Sequence, residues 1–134
     1  MRRQTGGADA GAILPIAYMS LMQPDPTKLV SLCAAADVKP DQPVRAEIGN
    51  ESYAVFLLEN RYYVTQDMCT HGPGCMSDGF VDGGEIECPF HQGKFDIRTG
   101  APTAPPCTEP LRTWTAHVVD GRVCIDPDEV RPSG

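Results

Sequence analysis

Short apolar or alternating segments recur along the chain, and a few turn-forming residues separate most of them. The segments predicted as strands are Leu29–Cys33, Val44–Ile48, Tyr53–Leu58, Arg61–Thr65, Phe80–Val81, Glu85–Cys88, Thr113–Val119 and Arg122–Ile125. Residues that tolerate positive φ lie between successive pairs of strands, at Gly49-Asn50, Glu59-Asn60, Asp82-Gly83-Gly84 and Asp120-Gly121. Only Ala34–Val38 indicates a helix, of one or two turns. The pattern predicts an all-β domain of short antiparallel strands joined by hairpins.

In the predicted strand Thr113–Val119, side chains alternate between two faces. Trp114, Ala116 and Val118 share one face, whereas His117 lies on the other. We therefore predict that His117 faces solvent and binds no metal.

The composition is that of one soluble domain rich in loops. The chain has 134 residues, of which 13 are Gly and 13 are Pro, enough for a single modest core. Its net charge of −7 disfavours nucleic acid and anionic membranes as partners, and it suits docking on a basic protein surface. We predict a disordered N-terminal extension over residues 1–27, a folded domain over 28–126 and a flexible tail over 127–134.

The N-terminal segment admits two interpretations. Met1-Arg2-Arg3 precedes the apolar stretch Ile13–Met22, an order also found in export signals. However, Pro15 interrupts this stretch, Pro24 and Pro26 follow it, and it is too short to span a membrane. We favour a disordered extension, or a start placed too early, on a cytoplasmic protein.

The candidate chemistry lies in two short blocks, Cys69-Thr70-His71-Gly72 and Cys88-Pro89-Phe90-His91-Gln92-Gly93, with 16 residues between His71 and Cys88. Each block supplies one thiolate and one imidazole. Two thiolates on one iron and two imidazoles on the other are the ligands of one kind of [2Fe–2S] centre. Zinc also accepts two Cys and two His, but structural zinc sites usually begin with a Cys pair spaced two to four apart and end with a His pair. The order Cys, His, Cys, His favours the cluster.

These motifs resemble the Rieske family, and the longer run from Cys69 to Gly100 is similar to the small Rieske ferredoxins of bacterial aromatic-ring-hydroxylating oxygenases. The resemblance implies a Rieske fold of short antiparallel sheets, forming a sandwich or barrel with two cluster-binding loops. It implies one [2Fe–2S] cluster per chain, with Cys69 and Cys88 on the inner iron and His71 and His91 on the outer one. It also implies that residues 101–106 fold over the cluster as a third loop.

The resemblance further implies a single-electron carrier and not an enzyme. It would pass electrons from an NAD(P)H-dependent flavoprotein reductase to a terminal Rieske oxygenase, and it would act as a monomer. Two alternatives stay open: the small Rieske-like subunit of an assimilatory nitrite reductase, and a membrane-attached respiratory Rieske protein. The respiratory branch has a disulfide between the ligand loops, and its second-loop cysteine would stand where this chain has Phe90.

Four cysteines remain outside the ligand motifs. Cys33 and Cys124 lie in apolar segments and are predicted to be buried free thiols. Cys75 and Cys107 both lie in the proposed cluster loops, so a bond between them is conceivable.

The expected reduction potential is low. Hydroxyl side chains in the second loop donate to cluster sulfur in respiratory relatives, and the matching positions are Gly93 and Phe95, which have no side-chain donor. Rieske potentials span ~−150 to +300 mV, and this one is expected near the lower end. The pair Gly93→Ser with Phe95→Tyr would supply the missing donors and should raise the midpoint.

Overall fold

The computed structural model describes residues 26–70, 72–90 and 92–131, and in these ranges twelve strands form three antiparallel sheets. The strands are β1 (Val30–Ala34), β2 (Val44–Ile48), β3 (Glu51–Leu58), β4 (Arg61–Gln66), β5 (Phe80–Asp82), β6 (Glu85–Glu87), β7 (Lys94–Asp96), β8 (Pro102–Ala104), β9 (Thr113–Trp114), β10 (His117–Val119), β11 (Arg122–Ile125) and β12 (Val130–Arg131). The short 3₁₀ helices are Pro26–Lys28, Ala35–Asp37 and Met76–Asp78. The all-β prediction is confirmed. Most of the predicted N-terminal extension lies outside the described residues, as do the predicted ligands His71 and His91.

The sheets are ordered β1-β11-β10, β12-β9-β4-β3-β2 and β5-β6-β7-β8. Both faces of strand β3 are buried. Tyr53 and Val55 contribute to one hydrophobic core, whereas Ala54 and Phe56 contribute to another. This explains why the strand has a nearly continuous apolar run and lacks the alternation of a strand with one wet face.

The first core lies between the five-stranded sheet and the three-stranded sheet β1-β11-β10. Tyr53 and Trp114 meet there edge to face, with ring centroids 4.9 Å apart and planes at 79°. The Trp114 indole N–H donates to the carbonyl of Pro127 at 3.1 Å. Part of the tail predicted to be flexible is therefore held, and Val130 pairs with Trp114 as strand β12.

The second core lies between the five-stranded sheet and the four-stranded sheet β5-β6-β7-β8, and it contains Cys69, Cys88 and Cys107. Strands β7 and β8 were not predicted. Each is three residues long, and β8 begins at Pro102, which cannot donate to a ladder. In the folded protein β7 lies between β6 and β8 and pairs with both.

The predicted hairpin turns are confirmed by backbone geometry. Gly49, Gly83 and Gly121 have φ of 62°, 64° and 76°. Glu59 and Asn60 both have positive φ, 49° and 67°, as a two-residue turn that matches strand twist requires. These turns set the register of β2 with β3 and of β3 with β4.

The prediction of one strand over Thr113–Val119 was wrong. The chain breaks after Trp114, and His117 begins β10 in a different sheet, opposite Cys124. The predicted orientations of Val118 and His117 are wrong as well. Val118 is 53 % exposed, whereas the Nε2 atom of His117 is buried and has no hydrogen-bond partner among the described residues. Alternation along a sequence cannot show where a strand changes sheets.

No helix within the described ranges is long and apolar enough to cross a membrane.

Candidate metal centre

Each of the two ligand loops, residues 69–74 and 88–93, is closed by a backbone hydrogen bond between its first and last residues. The Cys69 N–H donates to the Gly74 carbonyl at 2.9 Å, and the Cys88 N–H donates to the Gly93 carbonyl at 2.8 Å. In each loop the cysteine thus bonds to a glycine five residues later, with the predicted histidine ligand between them in sequence. The first loop joins β4 to the 3₁₀ helix Met76–Asp78, and the second joins β6 to β7. The structure therefore places both cysteines at the base of a loop that a backbone hydrogen bond closes.

The two cysteines predicted as ligands are buried together. Cys69 is 4 % exposed and Cys88 is 2 % exposed, and both contribute to the same core. Burial raises the pKa of the Cys88 thiol, and the nearby Cys69 side chain raises it further, whereas the Phe90 backbone N–H lowers it by donating to sulfur. A metal would remove this penalty because a coordinating thiol is deprotonated.

The two loops also touch each other through Gly74. A Cβ built there would lie 3.0 Å from the Cys88 Sγ atom and 3.0 Å from Cδ2 of Phe90. The φ of Gly74 is +133°, a conformation that residues with side chains rarely adopt. The position therefore requires glycine, and the Phe90 ring of the second loop packs directly over the backbone of the first.

Asp67 fastens the first loop to the sheet. Its Oδ1 atom accepts a hydrogen bond from the Ser77 N–H at 2.9 Å, and its carbonyl accepts one from the Met76 N–H at 2.6 Å. Its own N–H donates to the Ser52 carbonyl at 3.1 Å. The side chain is fully buried, and its Oδ2 atom lies 3.4 Å from Nε of Arg45. The residues that follow the loop therefore bond to Asp67, which precedes it, through both its backbone carbonyl and its carboxylate. No signal in the sequence indicates this role of Asp67.

The segment predicted as a third loop is partly a strand. Ala104 pairs with Lys94 in the strand that follows the second ligand loop. Further on, the Glu109 carbonyl accepts a hydrogen bond at 2.7 Å from the Thr70 hydroxyl of the first loop. The segment from Ala104 to Glu109 therefore contacts the first ligand loop and the strand that follows the second.

Residues 28–115 of this sequence match the family described as the Rieske [2Fe-2S] domain. The chain belongs to the Rieske [2Fe-2S] family. The cofactor of the family, one [2Fe–2S] cluster per chain, follows from this membership.

The curated relatives of this Rieske protein include the ferredoxin component of the p-cumate 2,3-dioxygenase system of Pseudomonas putida. The two are 40% identical over 104 residues, which cover 76% of this chain and 88% of the relative. Among solved structures, a Sphingomonas yanoikuyae B1 ferredoxin is 44% identical with a TM-score of 0.71, covering 72% of this chain and 96% of that chain.

Two further solved structures bear on the choice of partner. One is the complex of reduced oxygenase and oxidized ferredoxin in carbazole 1,9a-dioxygenase, with a TM-score of 0.70, 38% identity, and coverage of 77% of this chain and 95% of that chain. The other is described as the small subunit of an NADPH nitrite reductase, with a TM-score of 0.62, 26% identity, and coverage of 72% and 96%.

The residues present fit a Rieske cluster. Two buried thiols from two loops meet in one core, and a backbone N–H already points at one of their sulfurs. Gly74 passes so close to the Cys88 sulfur that the backbone of the first loop lies beside a proposed ligand of the second. Cys69 and Cys88 would hold one iron, and His71 and His91 remain predicted ligands of the other.

Cys107, which the sequence places in a cluster loop, is a third thiol in the core that contains Cys69 and Cys88. It is 5 % exposed. Burial raises the pKa of Cys107 to about 12, with further contributions from Cys69 and Cys88. No disulfide joins it to Cys75, and all six cysteines are free. Cys75 instead lies beside Asp67 and Arg45, and burial followed by the charge of Asp67 raises its pKa.

The structure corrects one expectation about Gly93. A Cβ built on Gly93 overlaps the Sγ atom of Cys107 and would lie 3.2 Å from its Cβ. Gly93→Ser therefore cannot be introduced alone to supply a donor. Phe95, its proposed companion, is fully buried in the same core, so an added hydroxyl would need a partner there.

Proposed function

We propose that this protein is the ferredoxin of an aromatic-ring-hydroxylating dioxygenase system. It carries single electrons from an NAD(P)H-dependent flavoprotein reductase to a terminal Rieske oxygenase, and it is not itself the catalyst. The observation that carries the proposal is the pair of matched loops with buried Cys69 and Cys88, on a chain whose similarity spans nearly the whole of small dioxygenase ferredoxins.

The proposed ligands are Cys69 and Cys88 for one iron and His71 and His91 for the other. When bound, the cluster accepts and releases one electron. The chain holds it by two loops whose cysteine N–H groups are already used within the loop, so that little rearrangement is needed on reduction. Buried cysteines at the base keep water from the inner side.

The surface around the loops suits brief docking. The sequence expectation was an apolar collar from Gly72-Pro73-Gly74 and Pro102–Pro106. Pro73 and Pro105 are exposed, and Phe90 is 52 % exposed and adds an aromatic side chain that the expectation lacked. Residues 68–75 and 88–93 contain no Asp, Glu, Lys or Arg. We infer that partners contact this uncharged tip while the net charge of −7 acts from further away.

We further propose a cytoplasmic monomer, as for a carrier that must leave one partner before meeting the next. The six free thiols support a reducing compartment. The nitrite reductase alternative has less support, because the resemblance to that small subunit is 26% identity against 44% for the Sphingomonas ferredoxin.

Reconstitution tests the proposal. We expect the purified holoprotein to support NADH-dependent oxidation of p-cumate or carbazole when it is mixed with the reductase and oxygenase of either system. Omission of the protein should abolish turnover, and addition of the system's own ferredoxin should restore it. Reduction by dithionite without reduction by any flavoprotein reductase, together with stable co-purification with a large haem subunit, would instead identify a nitrite reductase component.

The rate of reduction by the reductase should fall with salt. Raising ionic strength from about 0.01 M to 0.15 M shortens the Debye length from about 30 Å to 8 Å, so steering by the net charge should weaken about tenfold. Stopped-flow reduction measures the rate. Phe90→Ala should slow the reaction by a factor that does not depend on the salt concentration, because it removes apolar contact and no charge. A rate that does not change with salt would contradict steering by the net charge but not the apolar contact at the tip.

A further inference from the structure

The core around the ligand cysteines contains a third thiol that belongs to neither ligand loop. Cys107 follows the strand β8 segment, and its N–H donates to the Ala104 carbonyl at 3.3 Å. This bond holds Cys107 in a turn, so its position is set by backbone. Its side chain points into the core that contains Cys69 and Cys88.

Cys107 and a side chain at position 93 exclude each other. A Cβ on Gly93 would overlap the Cys107 Sγ atom, and it would lie 3.3 Å from the Cys107 backbone N. The overlap is with the sulfur, and the contacts with the Cys107 Cβ and backbone N are longer, so removal of the sulfur opens most of the space. The space next to the second ligand loop is therefore filled from the segment after β8 and not from the loop itself.

The residues at positions 93 and 95 supply no side-chain donor to this space. Gly93 has none, and Phe95 is apolar and fully buried. Cys107 contributes to the same core as Cys69 and Cys88, the two proposed ligands of the inner iron, and of these two Cys69 raises the pKa of Cys107 more. A donor to ligand sulfur stabilises the more negative, reduced state and raises the reduction potential.

We propose that Cys107 is a positioning residue that sets the reduction potential, because its S–H group donates to the Cys69 sulfur and occupies the place of a donor from position 93. The proposal rests on Cys69 and Cys88 as cluster ligands but not on the identity of the partner oxygenase. It therefore can fail while the dioxygenase function stands, and the purified protein alone tests it.

The first test removes the donor. Cys107→Ala should lower the equilibrium constant for one-electron reduction about tenfold, which lowers the midpoint potential by ~59 mV. This is the effect expected from the loss of one hydrogen bond to a charged acceptor. Cys107→Ser has a stronger donor in nearly the same volume and should shift the midpoint upward. Cys33→Ala is the matched control, since it removes an 8 % exposed thiol from the other core and should leave the midpoint unchanged. Potentials are measured by spectroscopic redox titration, with iron and sulfide assays of cluster content.

The second test uses the mutual exclusion. Gly93→Ser alone should reduce cluster content several-fold, whereas Gly93→Ser combined with Cys107→Ala should assemble and have a higher midpoint than Cys107→Ala. The proposal is overturned if Cys107→Ser leaves the midpoint unchanged, if a fully loaded Cys107→Ala does so, or if Gly93→Ser alone is tolerated as well as the double variant. If Cys107→Ala holds no cluster, the Ser variant still decides.

Discussion

Cys88→Ser is expected to leave the protein without its cluster. Serine nearly preserves the volume of the side chain, but its hydroxyl stays protonated and is a poor ligand for iron. Loss of even an outer-shell partner lowers metal affinity by about 10- to 100-fold, and loss of a ligand should cost at least as much. Purified variant protein should lack visible absorption, acid-labile sulfide and the EPR signal of the reduced form. Cys69→Ser should behave in the same way, because Cys69 lies in the equivalent position of the first loop.

Cys124→Ser is the matched control. Cys124 is 7 % exposed, but it lies in β11, away from the core that contains the ligand loops. It should retain iron and sulfide at the level of the unmodified protein, which separates loss of a ligand from the cost of burying a hydroxyl. His71→Cys and His91→Cys should retain iron but lose the Rieske EPR signature, since thiolate adds negative charge to the outer iron. Protein with one zinc and no acid-labile sulfide would contradict the whole assignment.

Asp67→Ala is expected to lower the free energy of unfolding by about 2–4 kcal/mol and to make the cluster labile. The substitution leaves the Ser77 N–H without its acceptor and removes the charge facing Arg45. The estimate lies below the full cost of breaking a buried ion pair because the Arg45 side chain is 48 % exposed. Denaturant unfolding of the loaded protein measures the change, and the rate of cluster loss on dilution measures the second effect.

Two further variants serve as controls for this prediction. Asp67→Asn keeps an oxygen acceptor for Ser77 and loses only the charge, so we expect a smaller loss of stability than for alanine. Asp78→Ala removes an exposed carboxylate nearby and should change the free energy of unfolding by less than about 0.5 kcal/mol. If Asp67→Ala and Asp78→Ala have the same free energy of unfolding, the Asp67 carboxylate does not stabilise the loop.

The hairpins and the ligand motifs could be predicted because their information is local. A turn such as Glu59-Asn60 imposes its φ values on whichever strands flank it, so register follows from a few adjacent residues. The ligand pattern is equally local, since Cys69 and Cys88 each lie within a few residues of the glycine that closes the loop. Order along the chain alone is sufficient to predict an all-β domain with two blocks that each supply one thiolate and one imidazole, and the family resemblance implies that these blocks are cluster-binding loops.

The remaining features depend on contacts between residues far apart in sequence. Nothing local to Thr113–Val119 shows that the chain leaves one sheet after Trp114 and enters another at His117. Cys107 meets Cys69 only because the segment after β8 packs onto the first ligand loop.

Gly93 shows most clearly what packing decides. As a sequence feature it indicates the absence of a donor, and the natural expectation is that serine could supply one. In the folded protein the same position has no room, because the Cys107 sulfur, 14 residues later, already occupies the space. Local spacing and turn chemistry predict which residues bind the cluster, but the surroundings of the proposed ligand cysteines are decided only when close packing brings a third segment against both loops.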